Sequence, residues 1–145
     1  MLYGKLTFMP VLGLVGWLAG CSTAGVVPHA DNPGTAQVTG TIAYRERIAL
    51  SPTAVISVKI VDVSRADAPA IVLGEQLIEA AGKQVPFPFS IAYDPAGIDP
   101  RMSYAVQARI EDGGRLMFIS DQNYAVITRG APAHIDLVLK AVGRN

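Results

Sequence analysis

Few residues in this chain are of a type that does chemistry, and their spacing sets most of them aside. His134 and Asp136 lie two apart, which on a strand puts a base and an orienting carboxylate on one face. No glycine-flanked serine or oxyanion turn accompanies them, and a Ser, His and Asp set can be drawn from almost any sequence. Glu75 and Glu79 stand at helical spacing, but paired carboxylates act only across a cleft. His29 has no second nitrogen, thiolate or carboxylate cluster near it. No phosphate-cradling glycine loop, dinucleotide fingerprint or metal-ligand spacing is present. The simpler reading of all these side chains is a solvated surface, with no catalytic residue, cofactor or metal expected. Cys21 remains, the only cysteine of the 145 residues.

Cys21 stands directly behind an apolar run. Lys5 is the only charge before Asp31, and Leu6 to Gly20 contains small and apolar residues with one Thr and one Pro. A bilayer-spanning helix needs about 20 such residues; this run is shorter and is broken by Gly13, Gly16 and Gly20. A basic start, a short apolar centre and small residues before a cut point are the parts of an export signal. Leu18-Ala19-Gly20-Cys21 resembles the lipobox of bacterial lipoproteins. That resemblance implies cleavage before Cys21, a diacylglycerol on its sulfur and, usually, a third acyl chain on the freed amine. One acyl chain holds a protein to a membrane marginally, and two or more hold it stably. Ser22 occupies the sorting position, where residues other than Asp generally direct Gram-negative lipoproteins to the outer membrane. The competing readings are a lone buried thiol, which behaves as a small hydrophobe, and an uncleaved anchor. The expected organisation is a signal peptide at 1–20, an acylated Cys with its flexible tether at 21–35, and a folded domain at 36–145.

Residues 22–35 are rich in Gly, Pro, Ser, Asn and Asp without periodicity. Fourteen such residues have a root-mean-square reach of about 20 Å, enough to clear lipid headgroups. Without residues 1–20 the chain carries 11 Lys and Arg against 12 Asp and Glu. That balance offers no basic stripe to nucleic acid. The remaining length suits one domain, and with its sole Cys acylated that domain has no disulfide and depends on an apolar core.

From Ala36 onward the pattern is that of strands. Val38, Ile42 and Tyr44 alternate with Thr39, Thr41 and Ala43. Residues 54–63 are β-branched almost throughout, as in a strand in mid-sheet. Ile48 and Leu50, in the connection between these strands, are expected to tuck under the core. Residues 71–80 fit either a strand or a helical turn. In residues 85–93, Pro86 and Pro88 alternate with Phe87, Phe89, Ile91 and Tyr93. Proline has no N–H for a ladder, so this strand belongs at an edge with its prolines outward and its aromatics inward. The prolines guard that edge against other strands; the sharper alternative is a protein-binding edge lined by Phe87 and Phe89.

Residues 98–104 run Ile, Asp, Pro, Arg, Met, Ser, Tyr, and Tyr104 heads the alternating Val106, Ala108 and Ile110. This order resembles the tyrosine corner of immunoglobulin-like sandwiches, whose phenol bonds back to the upstream backbone at a crossover between sheets. Asp112-Gly113-Gly114 marks a tight hairpin. Leu116, Phe118 and Ser120 then face the core, and Ile135, Leu137 and Leu139 do so in the last strand. Seven to eight short strands with regularly spaced turns predict an all-β fold, an antiparallel immunoglobulin-like or fibronectin-like β-sandwich.

Val38-x-Gly40-x-Ile42-x-Tyr44 followed by residues 45–50, the polar turn at 62–69, Val85-Pro86-x-Pro88-Phe89, Tyr93-Asp94-Pro95, Ile98-Asp99-Pro100 and Gly114-Arg115-Leu116 are together similar to the YbaY-like lipoproteins. These are grouped with the type III secretion chaperone lipoproteins of the YscW kind. The likeness covers about residues 36–140 and departs at Ser51-Pro52-Thr53-Ala54, where a Pro-Pro-Gly-like turn is expected. Its better-understood branch consists of pilotins, which escort secretin subunits to the outer membrane. The resemblance implies a non-enzymatic lipoprotein on the periplasmic face of the outer membrane, held through Cys21 and binding another envelope protein. A small-ligand- or glycan-binding envelope lipoprotein is the alternative, with exposed aromatics on an open sheet face as its expected signature.

Overall fold

The computed structural model describes residues 34–143. Leu18, Ala19, Gly20, Cys21, Ser22 and the tether up to residue 33 lie outside the described residues. Eight strands follow in order: β1 (Ala36–Tyr44), β2 (Val55–Asp62), β3 (Ile71–Glu79), β4 (Phe87–Tyr93), β5 (Tyr104–Asp112), β6 (Arg115–Ile119), β7 (Tyr124–Val126) and β8 (His134–Ala141). A single 3-10 turn at Pro95–Gly97 separates β4 from β5, and the Asp94 carboxylate caps it by accepting from Ala96 N at 2.8 Å. The segment at 71–79 is a strand, which settles the strand-or-helix ambiguity there. Its β-branched Ile71 and Val72 and its eight-residue pairing with β2 outweigh the local helical preference of its glutamates.

The strands form one sheet in the order β3-β2-β5-β6-β8-β1-β4, with β7 paired to β5. This corrects the expected sandwich. Two half-sheets do exist, β3-β2-β5-β6 and β8-β1-β4, but the pairs Phe118–Ala141 and Ile119–Lys140 join them. The result is a nearly closed, barrel-like sheet. The expected all-antiparallel pairing is also corrected: β1 and β8 run parallel from Thr39–His134 to Tyr44–Leu139. Such a pair needs a long crossover, and nearly the whole domain lies between these two strands.

The alternation in sequence becomes the inside and outside of this sheet. Val38 and Ile42 in β1, Ile56, Val58 and Ile60 in β2, and Val106 and Ile110 in β5 are fully buried. Each such side chain contributes about 1.5–3 kcal/mol of burial. Phe118 fills the centre and stacks on Tyr44, with ring centroids 4.1 Å apart and planes 14° from parallel. Leu50 is buried as expected, but Ile48 is 42% exposed; its role is instead to accept a hydrogen bond at its carbonyl from the Tyr44 hydroxyl. Register shifts opposite Ile60–Val61 and Ile110–Glu111 leave Leu73 and Met117 as extra residues in their strands. Beyond each bulge the facing of the strand reverses.

Side chains complete the sheet where the backbone ladder is missing. Gln84 accepts from Leu50 N at 2.8 Å and donates to Leu50 O at 3.1 Å, tying two connections together. The Tyr124 hydroxyl donates to Val138 O and accepts from Val138 N, both at 2.9 Å, bridging β7 to β8. At Ser51-Pro52-Thr53, where the turn departs from the expected Pro-Pro-Gly-like form, both hydroxyls donate to Asp112 Oδ1 at 2.8 Å. The hydroxyls of Ser51 and then Thr53 hold the Asp112 carboxyl below its ordinary range.

Candidate functional site

Tyr104 lies at the start of β5 with its ring 4% exposed, and its phenol oxygen accepts a hydrogen bond from Asp99 N at 3.0 Å. The phenol therefore bonds to upstream backbone, in the connection that carries the chain from β4 of one half-sheet to β5 of the other. Asp99 organises the same loop: its carboxylate accepts from Arg101 N at 2.9 Å and pairs with the guanidinium at 2.8 Å. That pairing keeps the Asp99 carboxyl below its usual range. Tyr104→Phe leaves the Asp99 amide without its acceptor, and a stability loss of about 1 kcal/mol is expected from urea unfolding. An unchanged midpoint would show that water replaces the phenol there at no cost.

β4 is at one end of the sheet path, as its prolines required. Phe87 and Phe89 are each only 4% exposed, which corrects the reading of a binding edge lined by these rings. The alternation that sends Pro88 outward sends both rings into the core, so neither ring lies on the strand's outer border.

His134 and Asp136 do come together, with Nε2 and Oδ1 3.8 Å apart. Thr39 Oγ1 lies 3.0 Å from His134 Nδ1, and Thr41 Oγ1 donates to Asp136 Oδ1 at 2.7 Å. A hydroxyl, an imidazole and a carboxylate thus stand in sequence across the parallel β1–β8 pair. Both His134 and Asp136 side chains are about two-thirds exposed, so water competes for every one of these bonds and nothing shields a reacting group. The cluster cross-links two strands. The neighbouring cavity of about 510 Å³ is lined by Arg45, Glu46, Asp121, Tyr124, Asp136 and Lys140 among others, without His134.

Glu75 and Glu79 are on a strand, where four residues span about 13 Å, too far for two carboxylates to share one bond. Glu75 accepts from Ser57 Oγ at 3.0 Å and pairs with Lys59 at 3.3 Å. The Ser57 hydroxyl and then the Lys59 ammonium lower its pKa from the ordinary range. Among the described residues, no group of three His, Cys, Asp or Glu side chains is placed to hold a metal ion.

The surface that sequence reasoning missed is the outer face of β3, β2, β5 and β6. Register places Leu77, Ser57, Arg109 and Ile119 in one row across the four strands. Leu77 is 65% exposed and Ile119 41%. Glu75, Lys59 and Gln107 form the adjacent row, and a cavity of about 300 Å³ opens between Lys59, Arg109 and Ile119. Further along β3, Ile71 and Val72 are also exposed. Aliphatic side chains set among paired charges suit protein contact. The one available signal was the apolar content of residues 71–78, which the unresolved choice of strand or helix concealed. The described aromatic side chains, by contrast, are buried or half-buried, so the open aromatic face expected of a glycan binder is not among them.

Comparison with known proteins agrees with this geometry. The family model described as "Type III secretion system lipoprotein chaperone (YscW)" matches residues 33–139. The chain is 38% identical over 105 residues to the "Uncharacterized lipoprotein YbaY" of Escherichia coli (strain K12). That match covers 72% of this chain and 55% of the relative, so the chain spans about half the length of that curated protein. Among solved structures it is similar to an alternative pilotin from the type II secretion system of Vibrio cholerae, with a TM-score of 0.73 and 46% identity. There the match covers 76% of this chain and 99% of the pilotin chain. A barrel-like all-β domain whose chemistry-bearing residues serve its own strands, matched over most of its length, belongs to the YscW family of type III secretion system lipoprotein chaperones.

Proposed function

We propose that this chain is an exported lipoprotein, cut before Cys21 and acylated on it, that binds another envelope protein in a chaperone or pilotin-like role. The observation that carries the reading is the likeness to a pilotin across nearly all of that protein's chain, at 46% identity. The lipobox Leu18-Ala19-Gly20-Cys21 supplies the membrane hold, and Ser22 directs it to the periplasmic face of the outer membrane. The domain acts without catalysis: it presents a surface, and the lipid keeps that surface at the membrane. The aliphatic row on β3 and β6 is the part of the surface best suited to protein contact.

Two arms test this reading. The acylated protein, recovered from solubilised membranes, is expected to bring down one envelope protein in stoichiometric amount. Cys21→Ala is expected to move the chain from the membrane fraction to the soluble one and to remove the mass of the acyl chains. Unchanged membrane association and mass in that variant overturn the lipoprotein reading. Recovery of no protein, with thermal shifts from sugars or small molecules instead, overturns the chaperone role.

A further inference from the structure

We propose that the barrel opens first along the seam between β3 and β4, and that the Gln76 side chain is the latch holding this seam shut. β7 and β8 also meet without a ladder and are bridged by the Tyr124 hydroxyl, while the remaining borders carry backbone pairing. β2 pairs with β3 and with β5 over eight positions each, β1 with β4 over seven, and β1 with β8 over six. The short β6–β8 border is reinforced by Val142 N donating to Met117 O and by the Tyr124 hydroxyl on Val138. β3 and β4 are the two ends of the sheet path, and no ladder pairing joins them among the described residues.

The cause is in β4. Ser90 N points across the seam, because it donates to Gln76 Oε1 at 2.8 Å. Amide direction alternates along a strand, so the nitrogen of residue 88 faces the same way, and residue 88 is a proline with no hydrogen to give. The seam is thereby denied a second rung on that side of Ser90. On the other side the two backbones touch: a Cβ on Gly74 would stand 2.6 Å from Ala92 O. The border is therefore held by one side-chain hydrogen bond, the close approach at Gly74 and apolar packing behind it, without a ladder. Behind it lie Phe87, Phe89 and Ile91, all buried. The β3–β4 connection is built to turn, with Ala81 and Gly82 both at positive φ, 46° and 81°. A border without a ladder opens at lower cost than the strands beside it, and here opening uncovers core side chains. The seam belongs to the chain alone, and its opening stands whichever partner the protein binds.

Amide hydrogen exchange of the full chain tests this directly. Ser90 and Ala92 are expected to exchange faster than Val58 and Val106 in the paired centre of the sheet. Gln76→Ala is expected to speed exchange at Ser90 by about fivefold, the worth of one hydrogen bond, and to leave Val58 and Val106 unchanged. Gln76→Glu keeps an acceptor oxygen and is expected to stay close to the parent rate. Equal protection of Ser90 and Val106 in the parent, or equal acceleration of both in Gln76→Ala, overturns the proposal.

Discussion

Gly40→Ala is expected to cost about 3 kcal/mol or more, read as a fall in the urea unfolding midpoint. A Cβ at residue 40 would stand 1.7 Å from Ile135 O, 2.7 Å from Ile135 C and 2.9 Å from Phe89 Cε1. The first two atoms are backbone of β8, which cannot rotate aside as a side chain would. To admit one methyl group, β8 must move away from β1, and the parallel pairing from Thr39–His134 to Tyr44–Leu139 goes with it. The glycine is required by space and not by a positive φ. Gly97 provides the control: nothing lies within 4 Å of its Cβ position, so Gly97→Ala is expected to change stability by only about 0.5 kcal/mol or less. Equal effects at the two positions would mean that β1 and β8 are not packed this closely.

The second large effect is expected at Phe118. Its side chain is fully buried, and it stacks on Tyr44, whose hydroxyl in turn bonds to Ile48 O. Phe118→Ala removes the stack and leaves a cavity beside the two pairs that join the half-sheets. A loss of about 3–5 kcal/mol is expected, lowering the melting temperature by on the order of 15 °C. Phe118→Leu keeps most of the volume and is expected to lose roughly 1–2 kcal/mol. A melting temperature in Phe118→Ala within a few degrees of the parent would mean that the core closes over the missing ring.

What was legible in the sequence was local. The alternation of Val106, Ala108 and Ile110 gave the inward face of β5, and Pro86 with Pro88 gave an edge strand with inward rings. The glycines after Asp112 gave the hairpin between β5 and β6, where Gly113 and Gly114 adopt positive φ. What was not legible depends on register between strands far apart in the chain. The parallel β1–β8 pair and the two pairs between β6 and β8 are each set by neighbours about twenty to a hundred residues distant, and they turned an expected sandwich into a barrel-like sheet. Alternation after Phe118 already put Ile119 outward, but the bulges at Leu73 and Met117 shift facing by one residue, so the row joining Leu77 to Ile119 across four strands was not legible. Phe87 and Phe89 show the opposite error: their inward direction was legible, and a binding role does not survive it. The lipobox is legible as a resemblance, and residues 18–21 lie outside the described part of the chain.

Gln76 and Tyr124 stand where strands meet without a ladder, and Gln84 ties two connections together. Exchange of one strand-forming residue for another on the outer face of β2 or β5 leaves their backbone pairing in place. These three bridges have no such immunity, since one changed codon removes each of them. How far this barrel closes is thus a heritable variable, written in a few side chains and adjustable without redesigning any strand.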